Sequence, residues 1–232
     1  MLSQSDWMKS FKPDSTVADS MDLYAHEITI ADSIGDYTQV INVCNKQIAL
    51  VPDDFDAYYN RGLAETHLKE YEKAKADYNY IIESVPKSSL GNIGLGYLDK
   101  DLKKYNVSIV DFDLAIMKDS TNFMSYYIRG IDKDKLGKEK EALKDFNKVI
   151  SINPNYGSAY YARGLVKSRL GKDAEAIPDF NKALKLQPDS VIIYCDRGIA
   201  KGKTGKLDEA MIDLDKAVKY FPSLIKFIVI EV

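Results

Sequence analysis

Apolar and polar positions recur along this chain with a long period, and the punctuation recurs with them. Prolines fall at 52, 86, 154, 188 and 222, spaced by 34 or 68, and Ser120 stands where the spacing leaves a gap. If each proline is position 32 of a repeat, six repeats begin at residues 21, 55, 89, 123, 157 and 191 with no insertion. Position 4 reads Tyr24, Tyr58, Asn92, Tyr126, Tyr160, Tyr194, and position 8 reads Ile28, Gly62, Gly96, Gly130, Gly164, Gly198. Position 20 reads Val40, Ala74, Ser108, Ala142, Ala176, Ala210, and position 24 reads Cys44, Tyr78, Phe112, Phe146, Phe180, Leu214. Large residues at 4 and 24 and small ones at 8 and 20 form a packing code for two helices in close contact.

Each repeat breaks near its middle, as at Leu136-Gly137-Lys138 and Leu170-Gly171-Lys172, into two amphipathic segments of about 13 residues. Positions 4, 8 and 11 share one helical face, and 20, 24 and 27 share one face of the second helix. Gly35, Gly137, Gly171 and Gly205, all at position 15, suit the left-handed residue that ends a helix. The proline at 32 stops the second helix. A single hairpin cannot bury its apolar face alone, so neighbours must stack on it. The pattern predicts an all-α, right-handed α-solenoid of six 34-residue helix-turn-helix repeats.

These columns resemble the tetratricopeptide repeat family over residues 21 to about 224, with its aromatic at 4, Gly at 8, Ala at 20, aromatic at 24 and Pro at 32. Two columns depart from it. Position 7 carries Arg61, Arg129, Arg163 and Arg197 where Leu is usual, and position 11 carries Lys133, Lys167 and Lys201 where Tyr is usual. Every repeat with Arg at 7 has Asp at 23, namely Asp77, Asp145, Asp179 and Asp213. That pairing predicts an ion pair joining either the two helices of one hairpin or one hairpin to the next. The third repeat has Leu95 with Asp111, and Asp111 is expected to serve Arg129 of the following repeat.

The resemblance implies that the first helices line a groove and that positions 2, 5, 9, 12 and 13 look into it. Tyr59, Leu63, Tyr97, Tyr127, Ile131, Tyr161 and Leu165 are the expected apolar contacts with a protein or peptide partner. Tyrosine suits such a surface because it offers area, few rotamers and a hydroxyl. The competing use of position 5 is packing against the neighbouring first helix. Lys135, Arg169 and Lys203 at position 13, beside Lys133, Lys167 and Lys201, form a basic ridge that would set a preference for an acidic or phosphorylated segment. The same cations also oppose the dipole of a helix C-terminus. No repeat has Lys at 5 with Asn at 9, so the carboxylate clamp of some family members is not expected.

Charge sharpens the picture. The net charge is -3, yet residues 1–122 hold 12 basic and 20 acidic side chains, whereas residues 123–222 hold 19 and 14. An overall acidic chain without base-stacking motifs argues against nucleic acid. Cys44 and Cys195 are too far apart in the array to pair, and no disulfide framework or Cys-rich metal site can form. His26 and His67 lack partners at metal-site spacing and read as solvated. Gly198 and Gly202 miss phosphate-loop spacing by one residue, the Asp132–Gly137 stretch lacks later calcium ligands, and Gly91, Gly94 and Gly96 are expected to loosen a helix. We therefore expect no catalytic residues, no cofactor and no metal.

No stretch approaches the length of a membrane span and no apolar leader opens the chain, which points to the cytoplasm unless a signal peptide has been removed. Residues 1–20, with Trp7, Met8 and Phe11, are expected to cap the first repeat. Residues 223–232, SLIKFIVIEV, are expected to form part of a solvating helix or to drive homo-oligomer formation. The resulting expectation is a non-enzymatic interaction scaffold, with a self-assembling structural protein as the alternative.

Overall fold

The computed structural model describes residues 15–220. These form twelve α-helices with no strand among the described residues. In chain order they are α1 (Ser15–Ser33), α2 (Tyr37–Leu50), α3 (Phe55–His67), α4 (Tyr71–Ser84), α5 (Leu90–Asp101) and α6 (Tyr105–Lys118), then α7 (Phe123–Lys135), α8 (Glu139–Ile152), α9 (Gly157–Arg169), α10 (Asp173–Leu186), α11 (Val191–Lys203) and α12 (Leu207–Tyr220). The chain divides into two compact bodies, residues 1–120 and 121–232. The division falls at Ser120, the one repeat boundary that lacks proline.

Within each body, consecutive helices pack against one another. The large residues of position 24 form the centres of the hairpins, and Tyr78, Phe112, Phe146 and Phe180 have no exposed surface. Glycine at position 8 makes room for them. A Cβ added at Gly62, Gly96, Gly130 or Gly164 would lie 2.6–2.8 Å from the ring opposite it. Gly91 and Gly94 serve the same purpose rather than loosening a helix. Cβ atoms there would come within 2.6 Å of the Tyr78 carbonyl oxygen and 2.3 Å of the Tyr78 ring, and α5 is continuous through both.

The helix ends follow the expected chemistry with two substitutions. Gly35, Gly137, Gly171 and Gly205 take left-handed backbone angles, and so do Lys69 (φ 62) and Lys103 (φ 58) at the same position of the second and third repeats. The turn geometry therefore persists where glycine does not. Val51, Val85, Asn153 and Gln187 leave the helix for more extended angles before proline, and Asp119 does so before Ser120. The helix thus stops without the ring of proline to enforce it. Pro178, six residues into α10, does not interrupt that helix.

At the amino end, α1 starts at Ser15, six residues before the first repeat was expected to begin. Residues 15–20 are continuous with that repeat's first helix. The expectations for residues 1–14 and 223–232, including self-association through the tail, lie outside the described residues.

Candidate functional site

The polar columns resolve into a repeated network. In four hairpins an arginine of the first helix makes two hydrogen bonds to the aspartate sixteen residues on, with Nη2–Oδ1 distances of 2.5–2.6 Å for Arg61–Asp77, Arg129–Asp145, Arg163–Asp179 and Arg197–Asp213. The Nε donors complete a bidentate fork. The pair therefore joins the two helices of one hairpin. Arginine reaches the preceding hairpin as well, because Nη1 of Arg61, Arg163 and Arg197 donates at 2.7 Å to Asn45, Asn147 and Asn181. Each guanidinium also lies 5.1–5.6 Å from the ring centre of the tyrosine at position 4.

Position 11 belongs to this network, not to an open ridge. Lys133, Lys167 and Lys201 reach the same aspartates as the arginines, at 2.8–2.9 Å. Burial opposes ionisation of Asp213, but hydrogen bonds from Arg197 and Lys201 overcome it and hold the carboxyl below its usual range. The second and third repeats break the pattern. Glu65 replaces the lysine beside Asp77, and burial followed by the Asp77 charge pushes its carboxyl up to about 7. Asp111 has Leu95 in place of arginine, and the Arg129 fork that it was expected to receive goes to Asp145 of Arg129's own hairpin. Oδ2 of Asp111 is buried without a hydrogen bond, and burial together with neighbouring Asp99 pushes the carboxyl up to about 7.

In the first body, three expected groove residues meet. Tyr59 and Leu63 of α3 and Tyr97 of α5 line one cleft of about 300 Å³ with Thr66, His67 and Asp101. His67 is stacked on Tyr37, with ring centres 4.2 Å apart. A larger cavity of about 870 Å³ opens between α1 and α3 over α2, and Leu63 borders it too. Asp22, Ala25, Thr29, Asp32 and Ser33 line it from α1, and these are positions 2, 5, 9, 12 and 13 of the first repeat. Asp22 and Asp32 stand at positions 2 and 12, outside the tyrosine-bearing positions 5 and 9, and the same register identifies them.

In the second body, the position-5 tyrosines serve the core and the surface together. Tyr127 and Tyr161 are half-buried and pack on the rings of Phe146 and Phe180, as Tyr59 packs on Tyr78, with centres 6.0–6.1 Å apart. The Tyr161 hydroxyl donates to Asp196 of α11 at 2.7 Å, which ties two first helices together. Burial, with the nearby Tyr156, pushes the Tyr127 hydroxyl up to about 12. Ile131 and Leu165 are partly buried against the adjoining core.

The three position-13 cations are exposed at the helix ends. Arg169 pairs with Asp134 and Lys203 lies 3.7 Å from Asp173, whereas Lys135 has no ion-pair partner among the described residues. Their charge is therefore largely compensated. Among the described residues no group of three or more His, Cys, Asp or Glu could hold a metal ion, and no helix is long and apolar enough to cross a membrane. Cys44 is buried, and desolvation pushes its thiol up to about 12, which removes its nucleophilic form at neutral pH.

Models of the tetratricopeptide repeat match residues 56–88, 125–156, 157–190 and 191–224. Among solved structures, the chain is similar to MamA, with 24% identity over 71% of this chain and 96% of that one and a TM-score of 0.65. It is also similar to YrrB, described as a tetratricopeptide repeat protein with an unusual peptide-binding site, at 22% identity over 77% and 92% with a TM-score of 0.64. A tetratricopeptide repeat protein from Parabacteroides merdae ATCC 43184 matches at 18% identity over 87% and 80%, also at 0.64. At these identities the likeness bears on the fold.

Proposed function

Since the chain belongs to the tetratricopeptide repeat family, we propose that it is a non-enzymatic scaffold that binds a segment of another protein along its first helices. The observation that carries this reading is the convergence of Tyr59, Leu63 and Tyr97, from two successive first helices, on a single open cleft. Such a cleft offers aromatic area bordered by polar groups, the composition of a contact hot spot. The peptide-binding description attached to YrrB supports the same use of a similar fold. In the second body, Tyr127, Ile131, Tyr161 and Leu165 supply the equivalent apolar positions. Lys135, Arg169 and Lys203 stand at their margin. The interaction is proposed to be with protein rather than nucleic acid.

The test is affinity capture with the wild-type chain and a Leu63→Ser/Tyr97→Ala variant, analysed by mass spectrometry. The reading expects a defined set of proteins lost from the variant while its helical circular dichroism is retained. Identical recovery by a folded variant would refute the groove assignment.

A further inference from the structure

The cavity between α1 and α3 has a sign. Four carboxylates line it, those of Asp22, Asp32, Asp54 and Asp56, and among the described residues no lysine, arginine or histidine does. Neither Asp22 nor Asp32 has an ion-pair partner among the described residues, and both are exposed. Ile28, Val40 and Leu63 add apolar surface between these charges. Gln47 also borders the cavity; it is 6% exposed, and its amide oxygen is buried without a hydrogen-bond donor. An unsatisfied acceptor in a partly apolar site costs free energy that an entering donor recovers. The volume, about 870 Å³, matches roughly two turns of an α-helix about 10 Å across.

Building on the scaffold reading above, we infer that this cavity selects a cationic amphipathic segment of a partner protein, with apolar side chains on its floor and Lys or Arg against Asp22 and Asp32. The proposal reverses the preference expected from the sequence, in which a basic ridge on the later repeats would take an acidic segment. That ridge is largely spent on Asp134, Asp173 and the hairpin aspartates. Asp22 and Asp32 have no such ion pair among the described residues. Burial raises the carboxyls of Asp54 and Asp56, and at Asp54 the Asp56 charge adds to the effect. A bound cation would relieve that repulsion. Asp54 also caps α3 by accepting from the Ala57 amide, so Asp22 and Asp32 are the residues to vary.

The experiment is fluorescence anisotropy of the full chain with two labelled fifteen-residue amphipathic peptides, one of Leu and Lys and one of Leu and Glu. The Leu/Lys peptide should bind at least tenfold more tightly than the Leu/Glu peptide. Asp22→Asn/Asp32→Asn should weaken it about tenfold, and added salt should weaken it too. Both substitutions are at exposed positions, and circular dichroism verifies the fold. Equal affinity for the two peptides, or an unaltered Kd in the double variant, overturns the charge preference. If the Leu/Glu peptide binds instead and is lost on Leu63→Ser/Tyr97→Ala, the scaffold reading survives while this inference fails. Binding of the Leu/Lys peptide seen only in a Lys9→Ala/Lys12→Ala background would assign the cavity to the chain's own leading residues and also overturn it. Absence of any binding counts against it as well.

Discussion

Replacing Glu65 with Gln should make the protein more stable, and the gain should depend on pH. Glu65 is 5% exposed, and one of its carboxylate oxygens has no hydrogen bond. The equivalent Lys133, Lys167 and Lys201 neutralise the hairpin aspartate, whereas Glu65 adds a second negative charge beside Asp77. Its folded pKa of about 7 lies above the ordinary 4.5. The folded state therefore favours the protonated acid, and its stability declines as pH rises from the unfolded value through the folded one. Integrated from pH 5 to 8, such a shift is worth about 2 kcal/mol. For a chain of this size that corresponds to roughly 4–8 °C in Tm. Thermal melts followed by circular dichroism at pH 5 and pH 8 read the difference directly. Glu65→Gln should exceed wild type by several degrees more at pH 8 than at pH 5, and Glu65→Lys should keep the gain by completing the Arg61–Asp77 network. Equal differences at the two pH values would refute the reasoning. Comparison with wild type at each pH removes the parallel contribution of Asp111, whose raised carboxyl acts in the same direction.

Three further outcomes follow from the same contacts. Asp179→Ala leaves Arg163 and Lys167 without their shared carboxylate and should cost about 3–5 kcal/mol in urea denaturation, because both cations are mostly shielded from water; a loss below 1 kcal/mol would show that the fork is ornamental. Lys69→Gly and Lys103→Gly remove left-handed strain and should each add about 0.5–1 kcal/mol, while Gly137→Lys, measured the same way, should subtract a similar amount. Val110→Lys and Met117→Lys on α6, at residues 54% and 81% exposed, should leave the urea midpoint within about 0.5 kcal/mol of wild type.

The repeat was legible because its residues report on one another. Gly at 8 and an aromatic at 24 imply a close approach, and a Cβ at Gly164 would indeed come 2.7 Å from Phe180. Every repeat with arginine at position 7 has aspartate at 23, so the hairpin fork could be read from their co-occurrence, although not whether it stayed within one hairpin. What escaped were positions whose partner had already been assigned. Lys133, Lys167 and Lys201 resembled a surface ridge because Asp145, Asp179 and Asp213 had each been given to an arginine, and one carboxylate with two oxygens can serve two cations. Lys69 and Lys103 escaped for another reason. A lysine gives no local sign that its backbone is left-handed, and only alignment with Gly35 and Gly137 in the repeat register reveals it.

The acidic cavity shows where column reading has to yield to row reading. Down the columns, position 2 is Asp only in the first two repeats and position 12 is Asp in the first and fourth, so neither stands out as a motif. Across the first repeat, however, Asp22, Ala25, Thr29, Asp32 and Ser33 occupy the five positions that the family resemblance directs into the groove, and all five line the cavity. Columns describe what every hairpin needs in order to pack. A row describes what one hairpin presents, and the two carry different physics. The column residues are held by burial, by ion pairs within each hairpin and by arginine hydrogen bonds to the preceding one, so changing them costs stability. The row residues are exposed, and Asp22 and Asp32 have no ion-pair partner among the described residues, so changing either should leave stability nearly intact while altering what the first body can hold.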